Sequence, residues 1–296
     1  MSETTHGLLS PSFLARLEQL ELVSRKVFLG QMRGERRSPR QGISVEFSDY
    51  RNYVPGDDLR FIDWNIYGRL DRLFLKLFLE EEDLHVYLLL DTSQSMAFGD
   101  PQKLHYAKQI AAALGYIGLT RSDRVIIESV AGDSSLKMPP LRGKQQGLQM
   151  LEFLEQLHTG GGTSLSQSLR DFSVRNSGRG IVVLISDLMD KDGYESALRY
   201  LLAKQMDIYV IHLLSQEELN PNYQGDLRLV DSEDGDIAEI TVNKPLVDRY
   251  KNHLKAYCDE IRNYCIRRGI FYLLADNQIP MEKLILEYLR QRLLVR

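Results

Sequence analysis

The stretch LHVYLLLDTSQSM, residues 84–96, constrains the fold more than any other part of the chain. Residues 86–90 are a nearly continuous apolar run, which is typical of a strand buried on both faces of a parallel sheet. The run stops at Asp91, and Ser93 and Ser95 follow at alternate positions. In an open α/β sheet, ligands bind in the crevice beyond the carboxyl ends of the strands. A carboxylate and two hydroxyls there are hard oxygen donors, which suit Mg²⁺ better than zinc or copper.

Two later stretches complete such a site. The glycines at residues 160–162 lead into a predicted helix, and they let the backbone bring Thr163 close to an ion. Another apolar run, residues 181–185, ends at Ser186 and Asp187, so a second strand end supplies a second carboxylate. Taken alone, DTSQS is also explained as a capped turn, because Asp and Ser are favoured there for local hydrogen bonding. The three stretches together favour a site at one edge of one sheet.

Predicted strands and helices alternate along most of the chain, which indicates an α/β fold with a doubly wound, mostly parallel sheet. Residues 226–242 break this rhythm, and the Asp-Gly pair between two apolar runs predicts a hairpin insertion. We expect two parts: an N-terminal segment, residues 1–83, and a main domain, residues 84–296.

The N-terminal segment is predicted to begin with an amphipathic helix, capped by Ser10 and running as far as Val27. Its apolar face packs either on the main domain or in a partner's groove. The arginine-rich stretch at residues 32–42 is either a solvated loop or an anion contact. Residues 43–47 alternate like a strand. Pro55-Gly56 predicts a type II turn, and Trp64 is expected to be buried with its neighbouring aspartates paired.

The composition excludes several classes of protein. Lys+Arg 37 against Asp+Glu 41 gives a net charge of −4, which argues against general nucleic-acid or anionic-membrane binding. Cys258 and Cys265 lie in one predicted helix, too far apart for a disulfide, so two free thiols are expected. The N-terminal residues do not resemble a signal peptide, and no apolar run approaches the ~20 residues of a membrane span. These features predict a cytoplasmic protein without a membrane span.

DTSQS, GGT and ISD resemble the metal-ion-dependent adhesion site of von Willebrand factor A domains. The resemblance implies direct or water-mediated Mg²⁺ ligands at five positions, with Mn²⁺ tolerated. These positions are Asp91, Ser93, Ser95, Thr163 and Asp187. It also implies that the ion keeps one position open, which a carboxylate from a protein partner fills.

Residues 42–64 resemble the family called domain of unknown function 58, in which this segment precedes a von Willebrand A domain. Members are typically encoded beside MoxR-type AAA+ ATPases and are thought to assemble or remodel protein complexes with them. The resemblance therefore implies a binding module that acts as an adaptor of such an ATPase. The chain itself has no GxxxxGK[ST] loop for a nucleotide.

The alternative is a Mg²⁺-dependent phosphatase of the haloacid dehalogenase type, with Asp91 as nucleophile and Asp187 and Asp190 as metal ligands. Enzymes of that type resemble DxDx[TV], but position 93 of this chain is Ser. The carboxylate that would transfer protons is therefore missing. We expect a protein that binds rather than an enzyme.

Overall fold

The computed structural model describes most of the chain. The described residues are 7–23, 47–78, 84–130, 136–160, 164–176, 180–190, 192–204, 206–222, 225–230, 237–291 and 294–296. They form two compact units, Met1–Arg33 with Leu84–Arg296 as the large unit and Gly34–Asp83 as the small unit. The predicted N-terminal segment, residues 1–83, is therefore divided between them, because its first helix packs with the large unit.

Within these ranges the large unit contains a five-stranded sheet in which every pairing is parallel. The predicted α/β fold with a parallel central sheet is confirmed. The strands are β3 (His85–Asp91), β4 (Arg124–Val130), β5 (Gly180–Ser186), β6 (Met206–Leu214) and β9 (Phe271–Asp276). Across the sheet they lie in the order β4-β3-β5-β6-β9.

Helices cover both faces of this sheet. In chain order the helices of the large unit are α1 (Pro11–Leu17), α3 (Lys103–Thr120), α4 (Gly147–Gln156), α5 (Leu165–Arg175), α6 (Tyr194–Leu202), α7 (Gln216–Leu219), α8 (Lys244–Arg267) and α9 (Met281–Lys283). The last one continues as a π-helix over Leu284–Leu289. The sequence predicts a helix at this position but gives no sign of the π geometry.

The central strand β3 supplies apolar side chains to both faces. Leu88 and Leu90 join an apolar cluster with α1, α3, α4 and the C-terminal residues. Tyr87 and Leu89 point the other way, into a cluster with α5, α6 and α8. Successive strand residues face opposite sides of a sheet, so this run is apolar throughout because both sides are covered.

Helix α1 packs on the large unit itself. Ser10 caps it through a hydrogen bond from the Phe13 N–H to the Ser10 hydroxyl, and Phe13 and Leu17 are buried in the first apolar cluster. The helix is shorter than predicted, because it ends at Leu17 and Leu22 instead pairs with Val295 as an isolated β-bridge. Tertiary pairing takes the place of the helix that local spacing predicts. Residues 24–27 of the predicted helix, the arginine-rich stretch and residues 43–46 lie outside the described residues.

The predicted hairpin insertion is present as β7 (Gly225–Val230) and β8 (Ile237–Val242), which pair antiparallel. Its turn lies outside the described residues. Cys258 and Cys265 are free and buried. In the part of the chain that the structure describes, no helix is long and apolar enough to cross a membrane.

The small unit contains a two-stranded antiparallel sheet, β1 (Phe47–Asn52) with β2 (Phe74–Phe78), and helix α2 (Trp64–Leu70). The predicted turn at Pro55-Gly56 is confirmed, since Gly56 has φ +105° and the Asp57 N–H donates to the Val54 carbonyl at 3.0 Å. Gly suits this position because it adopts positive φ without steric cost.

The expectation that Trp64 is buried is wrong. Trp64 is the first residue of α2. Its side chain is 61% exposed and makes an edge contact with the ring of Tyr67. The neighbouring Asp63 is the buried anchor instead. Its carboxylate caps α2 by accepting the N–H groups of Asn65 and Ile66. Helix capping, rather than burial of the large ring, fixes this turn.

Candidate metal centre

Asp91 is the last residue of β3 and is almost completely buried. Its Oδ1 accepts the Ser93 N–H at 2.9 Å, which is the local turn that Asp favours directly after a strand. Its Oδ2 accepts the Ser186 hydroxyl at 2.5 Å. The hydrogen bond from Ser186 ties the ends of the two neighbouring strands β3 and β5 together.

The hydroxyls of Ser93 and Ser95 lie 3.0 Å apart. Ser93 occupies the N-cap position of the short 3₁₀-helix Gln94–Ala97, yet its side chain makes no capping hydrogen bond. The Ser93 hydroxyl therefore does not cap this turn, contrary to the alternative explanation of DTSQS. Both hydroxyls remain directed at each other, beside the carboxylate of Asp91.

Asp187 follows β5 and is also buried. Its Oδ1 accepts the Met189 N–H at 3.2 Å, and its Oδ2 accepts an N–H of the Lys103 ammonium at 2.8 Å. A hydrogen bond from Ser95 also reaches this carboxylate. The structure thus brings together four of the five predicted ligands: Asp91, Ser93, Ser95 and Asp187.

Thr163, the fifth predicted ligand, lies outside the described residues. Both ends of its loop are nevertheless fixed near the site. The Gly160 N–H donates to the Thr92 carbonyl at 2.9 Å, and the Leu165 N–H donates to Asp190 Oδ2 at 2.7 Å. Thr163 as a ligand remains a prediction.

These side chains line a small cleft at the carboxyl edge of the sheet. Its lining residues are Asp91, Ser93, Ser95, Leu165, Ser186, Asp187, Met189 and Asp190. A larger and more open cleft of about 480 Å³ lies elsewhere, between α6 and α8. The small cleft is the one that coincides with the residues singled out from the sequence.

The two carboxylates of the cleft have different electrostatic surroundings. Burial raises the pKa of Asp91 to about 7, the charge of Asp187 adds to the increase, and hydrogen bonds from Ser186 and Ser93 oppose it. Burial also acts to raise the pKa of Asp187, but the charge and hydrogen bond of Lys103 outweigh it and hold that pKa below its usual value. Within the described ranges, the negative charge of Asp91 is therefore the one that lacks a neighbouring cation.

This arrangement fits a hard divalent cation. Among the described residues, no three His, Cys, Asp or Glu side chains lie close enough together to hold an ion. Any ion held by these described side chains must therefore take hydroxyl oxygens as well as carboxylate oxygen. An all-oxygen donor set of this kind suits Mg²⁺ or Mn²⁺ rather than zinc, and a cation would neutralise the buried charge of Asp91.

Sequence reasoning missed Lys103 and Glu218. Lys103 is the first residue of α3, its side chain is fully buried, and its ammonium lies 2.6 Å from Glu218 Oε1. Burial alone lowers the pKa of Lys103, but the adjacent carboxylates of Asp187 and Glu218 raise it above its usual value. No sequence signal marks this lysine, because a single Lys at a helix start is normally a solvated residue.

Asn277, directly after β9, was also missed. Its side-chain amide donates to the Pro101 carbonyl at 2.6 Å and its Oδ1 accepts the Gln216 N–H at 3.1 Å. This buried amide connects the segment before α3 to the start of α7, and so supports the position of Lys103.

The family described as "Protein of unknown function DUF58" matches residues 49–276. The protein Rv1480 of Mycobacterium tuberculosis, described as uncharacterized, is 25% identical over 252 residues, which are 83% of this chain and 79% of that protein. Two solved structures are more distant in sequence. BatB from Bacteroides thetaiotaomicron is 17% identical over 70% of this chain and 98% of its own, with a TM-score of 0.45. A von Willebrand factor type A structure from Catenulispora acidiphila is 17% identical over 48% and 35%, with a TM-score of 0.37.

The parallel sheet with helices on both faces is the doubly wound α/β fold that the sequence predicts. Because the family match spans most of the chain, the protein belongs to the family described as protein of unknown function DUF58.

Proposed function

We propose that the protein is a binding module that captures an acidic group of a protein partner through a Mg²⁺ or Mn²⁺ ion at the carboxyl edge of its sheet. The observation that carries this proposal is the buried carboxylate of Asp91, which faces a like charge on Asp187 and two hydroxyls, while no described residue pairs it with a cation. A buried charge of this kind is costly unless it is neutralised.

The side chains of the cleft have distinct roles in this proposal. Asp91 is oriented by Ser186 and the Ser93 N–H, so that its charge is held in one place. Ser93 and Ser95 offer neutral oxygens, which leave a bound ion with much of its positive charge. When bound, the ion supplies a positive point with a free position for an outside carboxylate.

Apolar side chains beside the cleft provide the rest of the contact. Phe98 is 46% exposed and Met189 is 37% exposed, and Met189 lines the cleft itself. A single carboxylate contact covers too little area for stable binding, so neighbouring apolar contacts are needed. We expect the partner to place an apolar residue close to its acidic one.

The residue at position 93 favours binding over catalysis. Ser93 occupies the position where a phosphatase of the haloacid dehalogenase type needs a second carboxylate, and its hydroxyl is paired with that of Ser95. These contacts support a protein that is not an enzyme.

The nature of the partner follows from the family resemblance of the sequence. We propose that it is a MoxR-type AAA+ ATPase, or a protein that such an ATPase remodels, and that the two act together in the cytoplasm. In this arrangement the ATPase hydrolyses nucleotide, and this protein selects the complex on which the ATPase acts.

The test is the affinity for the co-encoded ATPase, measured by surface plasmon resonance in Mg²⁺, in EDTA, and after Mg²⁺ is restored. We expect binding in Mg²⁺, loss in EDTA and recovery on restoration. Asp91→Ala should abolish binding in all three conditions. Asp171→Ala is the matched control, because it removes a carboxylate from the exposed face of α5.

Equal affinity of the wild type in Mg²⁺ and EDTA would show that the metal centre has another role. Hydrolysis of a generic aryl phosphate is measured in parallel. Turnover that Asp91→Asn abolishes would replace the binding proposal with the phosphatase.

A further inference from the structure

Lys103 is a buried cation that pairs with one of the two carboxylates of the candidate metal centre. Its side chain is 0% exposed, and its ammonium lies 2.8 Å from Asp187 Oδ2 and 2.6 Å from Glu218 Oε1. Lysine is almost never fully buried unless it is paired, and here it is paired twice. These three groups come from α3, the end of β5 and α7, which the sequence separates widely.

Glu218 is itself held in place by hydrogen bonds with Ser215. Its Oε2 accepts the Ser215 N–H at 2.7 Å, and the Ser215 hydroxyl accepts the Glu218 N–H at 3.2 Å. This reciprocal arrangement is a capping box, which satisfies two backbone donors at the start of α7. One oxygen of Glu218 therefore caps the helix while the other positions Lys103.

The buried lysine changes what Asp187 can bind. Its Oδ2 accepts a hydrogen bond from the Lys103 ammonium at 2.8 Å, so its charge is already compensated by a buried cation. An ion ligated by Asp187 would lie beside that ammonium and be repelled by it. Among the described residues, the hydrogen-bond donors to Asp91 are neutral groups, the Ser93 N–H and the Ser186 hydroxyl. With the lysine in place, Asp91 is therefore the better direct ligand of the two.

We propose that Lys103, positioned by Glu218, keeps Asp187 from ligating the ion and thereby sets how strongly the metal centre binds it. This inference rests on the cation site of the proposed function and identifies the residues that regulate it. A single direct carboxylate leaves the ion weakly held and strongly attractive to a carboxylate from outside. Lys103 and Glu218 are positioning residues, since neither touches the ion.

The test uses Mn²⁺ alone, without a partner, and measures both its dissociation constant and the number of exchangeable waters on the bound ion by proton relaxation. The main variant is the double substitution Lys103→Met with Glu218→Gln. It leaves the net charge unchanged, because one positive and one negative group are removed, but it releases Asp187. We expect Mn²⁺ to bind about tenfold more tightly and to lose one water, since Asp187 becomes a direct ligand.

Glu218→Gln alone changes the charge in the opposite sense. Lys103 then faces Asp187 without a competing carboxylate, and the cleft becomes more positive by one charge. We expect Mn²⁺ to bind at least about fivefold more weakly, with the water count unchanged. Lys255→Met, on the exposed face of α8, is the control for a lost lysine and should leave both quantities at wild-type values.

Folding of each variant is checked by circular dichroism. If the double variant does not fold, Glu218→Gln still decides the matter, because it retains the lysine. Wild-type affinity and water count in every variant that folds would overturn the inference, as would an absence of Mn²⁺ binding throughout. The proposed function fails separately: normal Mn²⁺ binding without capture of the ATPase contradicts the function and leaves the role of Lys103 intact.

Discussion

The two units of this protein use apolar residues in opposite ways. In the large unit the apolar runs of β3, β5 and β6 are buried from end to end. In the small unit many large apolar side chains are exposed. These are Tyr50, Val54, Leu59, Phe61, Trp64, Tyr67 and Leu70. The difference teaches that an apolar side chain is buried only where a second layer covers it.

In the small unit, polar contacts provide stabilisation that the buried apolar core provides in the large unit. Asp57 binds Arg51 at 2.5 Å and also accepts the Val54 N–H. Asp63 is the buried centre of a second set, with Tyr50 and Lys76 each 3.2 Å from its Oδ2. A two-stranded sheet is marginal by itself, so these hydrogen bonds contribute a large share of its stability.

The largest expected effect is that of Leu88→Ala. Leu88 is completely buried in the central strand, and removing its side chain leaves a cavity that costs about 2–5 kcal/mol of unfolding free energy. Urea unfolding followed by circular dichroism at 222 nm measures it. Leu59→Ala is the control from the small unit, and because Leu59 is 57% exposed it should cost less than about 0.5 kcal/mol. Similar costs for the two substitutions would contradict the difference drawn between the two units.

The next effect concerns charge. The folded protein holds the pKa of Asp91 at about 7, above its unfolded value, so the native state binds a proton more tightly. The contribution of Asp91 is therefore most favourable below about pH 4 and is lost as pH rises through 7. In EDTA, Asp91→Asn should raise the unfolding free energy at pH 8 by about 1–3 kcal/mol and have little effect at pH 4.

Denaturation of the wild type and of Asp91→Asn at both pH values measures this difference. Added Mg²⁺ should stabilise the wild type at pH 8 but not the variant, because only the wild type binds the ion. A benefit of the substitution that is equal at pH 4 and pH 8 contradicts the assigned pKa.

A smaller effect is expected from Asp63→Ala. It removes the cap of α2 together with the contacts to Tyr50 and Lys76, at a cost of about 1–2 kcal/mol. Trp64 is the only tryptophan of the chain, so its fluorescence reports the small unit. We expect the fluorescence transition to move to lower urea while the transition at 222 nm stays in place. Identical movement of both signals would show that the units unfold together.

The smallest effect is that of Trp64→Ala. Its side chain is 61% exposed, so its removal should change the unfolding free energy by less than about 1 kcal/mol. The wild-type emission maximum should correspondingly be that of a tryptophan largely in water. A blue-shifted maximum would show that the ring is covered.

The sequence predicts the large unit well, because its strands are short apolar runs and its helices have clear spacing. Helix α3 begins and ends where predicted, at Lys103 and Thr120, and β5 likewise. Failures occur where distant residues decide the outcome. The helix predicted to continue beyond Leu17 gives way to pairing between Leu22 and Val295, which no local pattern reveals.

The candidate site likewise contains residues that the sequence could predict and residues that it could not. Asp91, Ser93, Ser95 and Asp187 could be found because each stands just after a predicted strand. Lys103 could not, because its partners Asp187 and Glu218 come from other elements, and its burial arises only when those elements meet. Residue type misled the prediction for Trp64, since a large ring at the start of a helix is buried only if something packs over it.

The strand order has a further consequence for synthesis of the chain. As the protein emerges from the ribosome, at roughly 5–20 residues per second, β3 first finds only β4 on one side. Its other edge stays open until β5 has been made, because the strand order places β3 between these two. For several seconds an apolar strand with unpaired backbone groups is available to other nascent chains. The strand that ends in the candidate metal centre is thus also one whose second edge pairs only late in synthesis.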